Sequence, residues 1–231
     1  MRTAIGQTQK VMARVGEVPF LSLLLQFLAG EGFKRVILLT GYQAEDVRGY
    51  YRKNPFGLEI VFSSEKEPLG TGGAVKNARM LVNSNPFFVL NGDSFCPLNF
   101  FRMLDFHSSQ KALATIAVSR VNESGDYGTI LFDEHRQIEA FREKAAPADA
   151  EIPGGGRFSY VNSGVYCFEK KVFELMKPER FSLEKDFFPE MIGQGMAAYQ
   201  TREEFYDIGT PERYQKASSA LNTIMDKKKK G

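Results

Sequence analysis

The chain is poor in the residues on which several common kinds of chemistry depend. Its 231 residues include two cysteines and two histidines. Cys96 and Cys167 lie in apolar surroundings with no Cys-x-x-Cys spacing, which indicates a reducing compartment. With no activating neighbour in sequence, each reads as a small buried hydrophobe, not a reactive thiol. His107 and His135 alone cannot build a histidine-rich zinc site. No apolar run reaches the ~18 residues of a membrane span, and the N-terminus has no signal-peptide core. A cytoplasmic protein is expected. No strong charge of either sign is present. The formal balance is +2, and without Lys227 to Lys230 it would be −2. That argues against the basic field of a nucleic-acid binder, and the lysine run reads as a solvated or disordered tail. Internal repeats and low-complexity linkers are also lacking.

What is present is ordinary for a globular chain: 43% hydrophobic and 25% charged residues, in a length that can bury one large core or two small ones. Leucines and phenylalanines at helical spacing predict a helix over 18–28, ended by Gly30 and Gly32. Arg35 to Thr40 and Leu58 to Ser63 read as strands around a helix over 43–53, whose acidic first turn suits the helix dipole. The glycine-rich stretch Leu69 to Ala74 opens a helix to about Val82. Phe87 to Leu90 is a short unbroken apolar run, read as a strand buried on both faces. Strand, helix, strand, helix, strand within about 60 residues predicts βαβ units and a parallel, doubly wound sheet. Helix 97–107 and strand 112–120 follow. The texture then changes. Residues 128–132 and 137–142 form a hairpin pattern, 158–168 a long strand, 169–176 and 186–194 helices, 197–201 and 204–207 short strands, and a last helix starts at Pro211.

Strand ends of such a sheet are where ligands bind. Asp93, in Asn-Gly-Asp after the apolar run, and Asp207, in Tyr-Asp-Ile-Gly-Thr-Pro, both stand there. Two carboxylates without histidine or cysteine ligands suit Mg²⁺, which prefers oxygen and bridges to substrate phosphates. A plain turn aspartate is the competing reading for each. Thr210 and Pro211 read as the cap and first residue of the final helix. The glycine turn at 70–74 fits either neither-Walker-nor-dinucleotide ligand binding through free N–H groups or tight packing. Asn162, Glu143, Lys144, Glu184, Lys185 and Asp186 are polar residues beside strands and helix starts, with hydrogen bonds, salt bridges or caps as their plainer roles.

In order along the chain, Leu-Gly-Thr-Gly-Gly-Ala, Asn-Gly-Asp, Tyr127-Gly128, Glu143-Lys144, Asn162-Ser163-Gly164 and Tyr-Asp-Ile-Gly-Thr-Pro make a pattern that resembles sugar-nucleotide pyrophosphorylases, the nucleotidyltransferases of sugar 1-phosphates. Glu-Lys-Glu-Pro-Leu-Gly-Thr-Gly-Gly-Ala and Phe-Ser-Leu-Glu-Lys-Asp-Phe resemble most the guanylyltransferases of D-glycero-D-manno-heptose 1-phosphate and of mannose 1-phosphate. The likeness spans residues 2 to 216. It implies an α/β, Rossmann-like doubly wound mixed sheet of the nucleotide-diphospho-sugar transferase type. Residues 1–226 would form one domain, with a nucleotide-binding half at 1–120 and a sugar-binding half at 121–226, before a basic tail at 227–231.

The resemblance also implies roles. Lys10 matches a phosphate-contacting lysine, although Gln9 and Val11 replace its flanking prolines. Gly70, Thr71 and Gly72 match the turn that meets the nucleoside base. Asp93 and Asp207 match the pair that holds Mg²⁺. Gly128, Glu143, Lys144 and Asn162 match contacts to the sugar and its phosphate, and Glu184 and Lys185 are placed in the sugar site. The implied substrates are a nucleoside triphosphate, GTP foremost, and a heptose or mannose 1-phosphate, as for a lipopolysaccharide or capsule precursor. Neither nucleic acid nor membrane is an implied partner, and homo-oligomerisation is left open. Such transfer needs no strong base, because the attacking phosphate oxygen is already an anion; it needs two repelling anions held together and charge neutralised. The missing Ser-His-Asp and Cys-His sets are consistent with that.

One departure from the pattern is large. The family's first strand and its Gly-x-Gly-Thr-Arg-Leu loop have no counterpart in residues 1–231, where Met1-Arg2-Thr3 aligns just after the loop. The N-terminal strand is therefore expected to be missing, and turnover by the chain as written to be weak or absent. Truncation at the start of an otherwise active enzyme is the first explanation, and a non-catalytic sugar-nucleotide-binding or regulatory paralogue is the alternative. A glycosyltransferase of related fold ranks last, since no Asp-x-Asp falls at a strand end.

Overall fold

Eleven residues, Phe20–Gly30, form a helix apolar on nearly every side, and eight of them are buried. A helix without a polar stripe belongs inside a fold, not on its surface. It starts two residues later than its spacing suggests, because Val18–Pro19 pairs with Arg14–Val15 across Gly16, whose φ is +60°. It ends where Gly32, at φ +90°, lets Phe33 donate back to the Leu28 carbonyl at 3.1 Å.

The computed structural model describes residues 10–41, 44–53, 56–121, 127–142, 159–177 and 180–230. After a 3₁₀ turn, Lys10–Met12, its elements run in order: β1 (Arg14–Val15), β2 (Val18–Pro19), α1 (Phe20–Gly30), β3 (Arg35–Thr40), α2 (Ala44–Tyr51), β4 (Glu59–Ser64), α3 (Gly70–Asn77) and β5 (Phe87–Leu90). There follow β6 (Ser94–Phe95), α4 (Phe100–Ser109), β7 (Ala114–Val121), β8 (Thr129–Phe132), β9 (Ile138–Arg142) and β10 (Ser159–Phe168). Then come α5 (Val172–Leu175), a π-helical turn Leu183–Phe187, α6 (Phe188–Glu190), β11 (Met196–Thr201), β12 (Tyr206–Asp207) and α7 (Pro211–Lys230). The lysine run, expected as a tail, is the end of that last helix.

These elements gather into two units. One comprises residues 1–66, 91–97 and 205–231. In it β3 and β4 lie parallel, from Arg35 opposite Glu59 to Thr40 opposite Ser64, connected through α2 as a βαβ pattern demands. Tyr51 of α2 is fully buried, its hydroxyl 3.0 Å from Ser22 of α1, and burial pushes its pKa up to about 12. Phe95 packs edge-on against Phe27 of α1, ring centres 5.0 Å apart.

The other unit, 67–90 and 98–204, is built on a six-stranded mixed sheet in the order β11-β7-β10-β8-β9, with β5 also paired to β10. The β11–β7 pair is parallel and the others are antiparallel. The expected parallel arrangement of the first half thus holds for β3 and β4, whereas β5 runs antiparallel to β10, from Leu90 opposite Val165 to Phe87 opposite Phe168. The burial on both faces read from the unbroken apolar run is only partly met, with Phe87 buried and Phe88, Val89 and Leu90 half-buried. Such a run does not name the strand beside it. The β8–β9 hairpin is as expected. Its turn is closed by Asp133, which accepts the Gln137 N–H at 2.7 Å, and Arg136 takes φ +69°. Tyr166, Phe168, Phe181, Phe187 and Phe188 form the aromatic centre of this core.

Candidate functional site

In the first unit the two aspartates that the sequence placed at separate strand ends become neighbours. β6 and β12 pair antiparallel, with Asp207 opposite Ser94, and the Ile208 N–H donates to the Asp93 carbonyl at 3.1 Å. Both side chains are partly exposed. The Asn91–Asp93 turn lies against the Lys10–Met12 segment: a Cβ on Gly92 would sit 3.4 Å from Val11 Cγ1. Lys10 itself is exposed.

Asp207 also has the local task of its competing reading, that of a turn aspartate. Its Oδ1 accepts the Gly209 N–H at 2.7 Å and stands 3.5 Å from an Arg213 guanidinium nitrogen. This Asx turn feeds into α7, where Thr210 accepts the Arg213 N–H at 3.3 Å and Pro211 occupies the first turn, as expected of a cap. Hydrogen bonds from its own backbone and from Thr210 hold the Glu212 carboxyl below its usual pKa.

In the second unit the glycine turn is welded to the segment that follows Arg180. The Phe181 carbonyl accepts both the Gly72 and Gly73 N–H groups, at 3.0 and 3.3 Å, and Phe181 N–H donates to the Leu69 carbonyl at 3.0 Å. The N–H groups expected to be free for a ligand at the start of α3 are in these two cases already used. Gly70 takes φ +74°, and a Cβ there would lie 2.5 Å from the Phe181 oxygen; at Gly72 a Cβ would lie 2.0 Å from the Phe181 ring. Glycine is needed at both because Phe181 fills the space.

Thr71, between them, is exposed and reaches the same segment by side chain. It accepts the Leu183 N–H at 2.8 Å and donates to Glu184 Oε2 at 2.9 Å. Ser182 donates to that oxygen too, at 3.0 Å, while Glu184 Oε1 accepts from Tyr166 at 3.2 Å. Asn162 Nδ2 donates to the Tyr166 hydroxyl at 2.9 Å. Thr71, Glu184 and Asn162, three of the residues singled out in the sequence, therefore belong to one network. Ser182 and Tyr166 complete it. Lys185 is exposed, on the rim of a surface recess that it shares with Lys177 and Arg180. Gly128 is exposed at the start of β8, where a Cβ would lie 3.0 Å from the Arg142 oxygen. Glu143 and Lys144 lie outside the described residues.

The pair Asn162 and Tyr166 depends on an irregularity in β10. Asn162 faces Val118 of β7 and Tyr166 faces Ile116, so four steps along β10 match two along β7. Four residues of uninterrupted strand span ~13 Å, too far for this bond, and two span ~7 Å. The extra residues, Ser163 and Gly164 among them, bulge out; Gly164 takes φ +73° and gives its N–H to Asn162 Oδ1 at 2.9 Å. Bulges commonly re-aim side chains beside functional sites.

Sequence reasoning missed Tyr166, Ser182, Phe181 and Arg213. Tyr166 reads as one more buried aromatic of an alternating strand. Phe181 could have been inferred only as an unnamed neighbour that two glycines make room for.

The family described as Nucleotidyl transferase matches residues 4–224. The chain belongs to that family. D-glycero-α-D-manno-heptose 1-phosphate guanylyltransferase of Aneurinibacillus thermoaerophilus is 34% identical over 223 residues, 96% of this chain and 93% of that one. The catalytic subunit beta of mannose-1-phosphate guanylyltransferase from Drosophila melanogaster is 33% identical over 219 residues, 93% of this chain; the chain spans 57% of that relative's length. The crystal structure of HddC from Yersinia pseudotuberculosis complexed with GMP-PN superposes with a TM-score of 0.81 at 32% identity, covering 94% of this chain and 91% of that one. The mixed α/β fold is thus that of the nucleotide-diphospho-sugar transferases, as the resemblance implied. No helix among the described residues is long and apolar enough to cross a membrane, and none of their His, Cys, Asp and Glu side chains form a cluster of three or more that could hold a metal. The two cysteines are free and buried.

Proposed function

We propose that this chain serves guanylyl transfer to a heptose or mannose 1-phosphate: a phosphate oxygen of the sugar attacks the α-phosphorus of GTP in line, pyrophosphate leaves, and a GDP-sugar forms. The observation that carries this reading is the adjoining placement of Asp93 and Asp207 by the β6–β12 pair. Two neighbouring aspartates are an oxygen donor set suited to Mg²⁺, which completes its shell with substrate phosphate and water. When bound, the ion would screen the charge that builds up on the phosphates. Asp93 and Asp207 would hold it, and Lys10 would contact phosphate. Thr71 and the flanking Gly70 and Gly72 would meet the base, while Asn162, Gly128, Glu143, Lys144, Glu184 and Lys185 would bind the sugar phosphate. The relatives' names support the substrate class, and cytoplasmic localisation is part of the same reading.

The second reading is sugar-nucleotide binding without synthesis, served by the same residues. Pyrophosphate release from GTP with mannose 1-phosphate or D-glycero-D-manno-heptose 1-phosphate separates them. Release that needs Mg²⁺ and is lost in Asp93→Asn supports the transferase. Binding of a GDP-sugar with no release supports the second reading, and neither binding nor release sinks both.

A further inference from the structure

The hydrogen bonds around Tyr166 have a fixed direction. Gly164 N–H has to meet an acceptor, so the Asn162 amide oxygen faces it at 2.9 Å and the amide nitrogen faces Tyr166. The Tyr166 hydroxyl, accepting that N–H, gives its own proton to Glu184 Oε1 at 3.2 Å. Glu184 Oε2 accepts from Thr71 and Ser182. A carboxylate has about four acceptor positions and a primary amide two N–H donors. Among the described residues three donors already occupy Glu184, and Tyr166 takes one N–H of Asn162. What each can still offer a ligand is narrow: one acceptor position on Glu184 and one N–H on Asn162, a pairing that suits a sugar hydroxyl.

We propose that Tyr166 is a positioning residue for the sugar: its hydroxyl fixes Asn162 and Glu184 relative to one another, so that this donor and acceptor select the sugar moiety of a nucleotide sugar. The proposal rests on the sugar-nucleotide reading given above. Tyr166 does not itself have to touch the ligand. Its ring is fully buried, stacked on Phe168 at 5.9 Å and edge-on to Phe188 at 5.0 Å. That packing holds the hydroxyl in place whether or not a ligand is present, which is how a binding geometry is made before binding.

Tyr166→Phe removes the hydroxyl and keeps the ring. Calorimetric titration of the full chain with GDP-mannose, with GDP-D-glycero-α-D-manno-heptose and with GDP alone reads the effect. The expected result is a Kd for the bound GDP-sugar about tenfold higher and a Kd for GDP changed less than about twofold, the loss of one hydrogen bond to a charged group. Combined with Glu184→Gln, the effects should be strongly non-additive, because both substitutions break one chain; independent structural damage would add. If Tyr166→Phe does not fold, Tyr166→Met removes the hydroxyl with a flexible apolar side chain in place of the ring and should show the same sugar-selective loss. Unchanged GDP-sugar affinity in a folded variant, equal losses for GDP and GDP-sugar, or additive effects would overturn the proposal and leave the sugar-nucleotide reading intact. A wild-type chain that binds neither GDP-sugar overturns the reading, and the proposal with it.

Discussion

The backbone N–H of Ile208 donates to the carbonyl of Asp93 at 3.1 Å, which ties the residue after Asp207 to the other aspartate of the pair. The two aspartates are therefore brought together by main-chain pairing. Asp207→Asn keeps the oxygen that accepts from Gly209 and weakens the 3.5 Å pairing with Arg213. Its stability should change by less than about 1 kcal/mol. Any Mg²⁺-dependent pyrophosphate release should fall at least ~100-fold, about 2.7 kcal/mol of barrier. Urea denaturation and a coupled pyrophosphate assay on the same preparation check the two halves; a large stability loss would mean that Asp207 serves the turn alone.

Two glycine-to-alanine substitutions should have opposite signs. At Gly49, inside α2, an added Cβ meets nothing within 4 Å, and Gly49→Ala should stabilise by about 0.5–1 kcal/mol through helix propensity. At Gly72 the same methyl lands 2.0 Å from the Phe181 ring, so Gly72→Ala should destabilise by about 1–3 kcal/mol. The midpoints of their urea transitions decide this. A neutral Gly72→Ala would mean that the Phe181 segment yields easily.

His107 makes stability depend on pH. It is buried, with Nδ1 2.7 Å from the Thr115 hydroxyl and Nε2 3.5 Å from Glu169. Burial pulls its pKa below the ordinary 6.5, against the upward pull of Glu169. The unfolded chain thus takes up the proton first as pH falls. Stability contributed by the neutral ring is complete above pH 6.5 and drains away below it, at up to about 1.4 kcal/mol per pH unit until the folded pKa is reached. Denaturation at pH 7.5 and 5.5 should show a steeper loss for wild type than for His107→Gln. Parallel losses would show that other groups set the acid limit.

The thiols should be silent until the fold opens. Cys167 is fully buried, and burial with the nearby Glu169 charge pushes its pKa up to about 12. Cys96 is buried as well. At pH 8 an aromatic disulfide reagent should label neither thiol in native protein and both in urea. Rapid labelling of the native chain would mean that one of these core regions opens readily.

Much of the fold was legible because it follows from local rules. β3 and β4 declare themselves by apolar runs, and the β8–β9 hairpin by its polar turn. The Phe181–Phe187 region was harder. A helix was expected from Asp186, yet the turn begins at Leu183, since Ser182 accepts the Lys185 N–H at 3.2 Å and gives its own N–H to Asp186 at 2.7 Å. Ser182 and Asp186 carry that signal, but it competes with the propensities around them. Of the candidate site, the sequence placed Asp93 and Asp207 each at the end of a strand. Their meeting depends on two strands of two residues, too short to leave a periodic trace. Asn162 was visible as a polar residue among apolar ones, whereas its bond to Tyr166 comes from a bulge that only the pairing partners reveal.

The bulge in β10 also governs which lengths of chain the second unit can accept. Asn162 and Tyr166 stand in the same phase on either side of it, because the register against β7 shifts by two. Removing Ser163 and Gly164 together would restore continuous pairing, leave every flanking side chain on its own face, and erase the Asn162 geometry. Removing one residue would turn over all the side chains on one side of the deletion, moving either the core aromatics or the opposite end of the strand to the wrong face. Viable length variants at this place should therefore come in steps of two, and those that are shorter should keep the fold while breaking the Asn162–Tyr166 hydrogen bond.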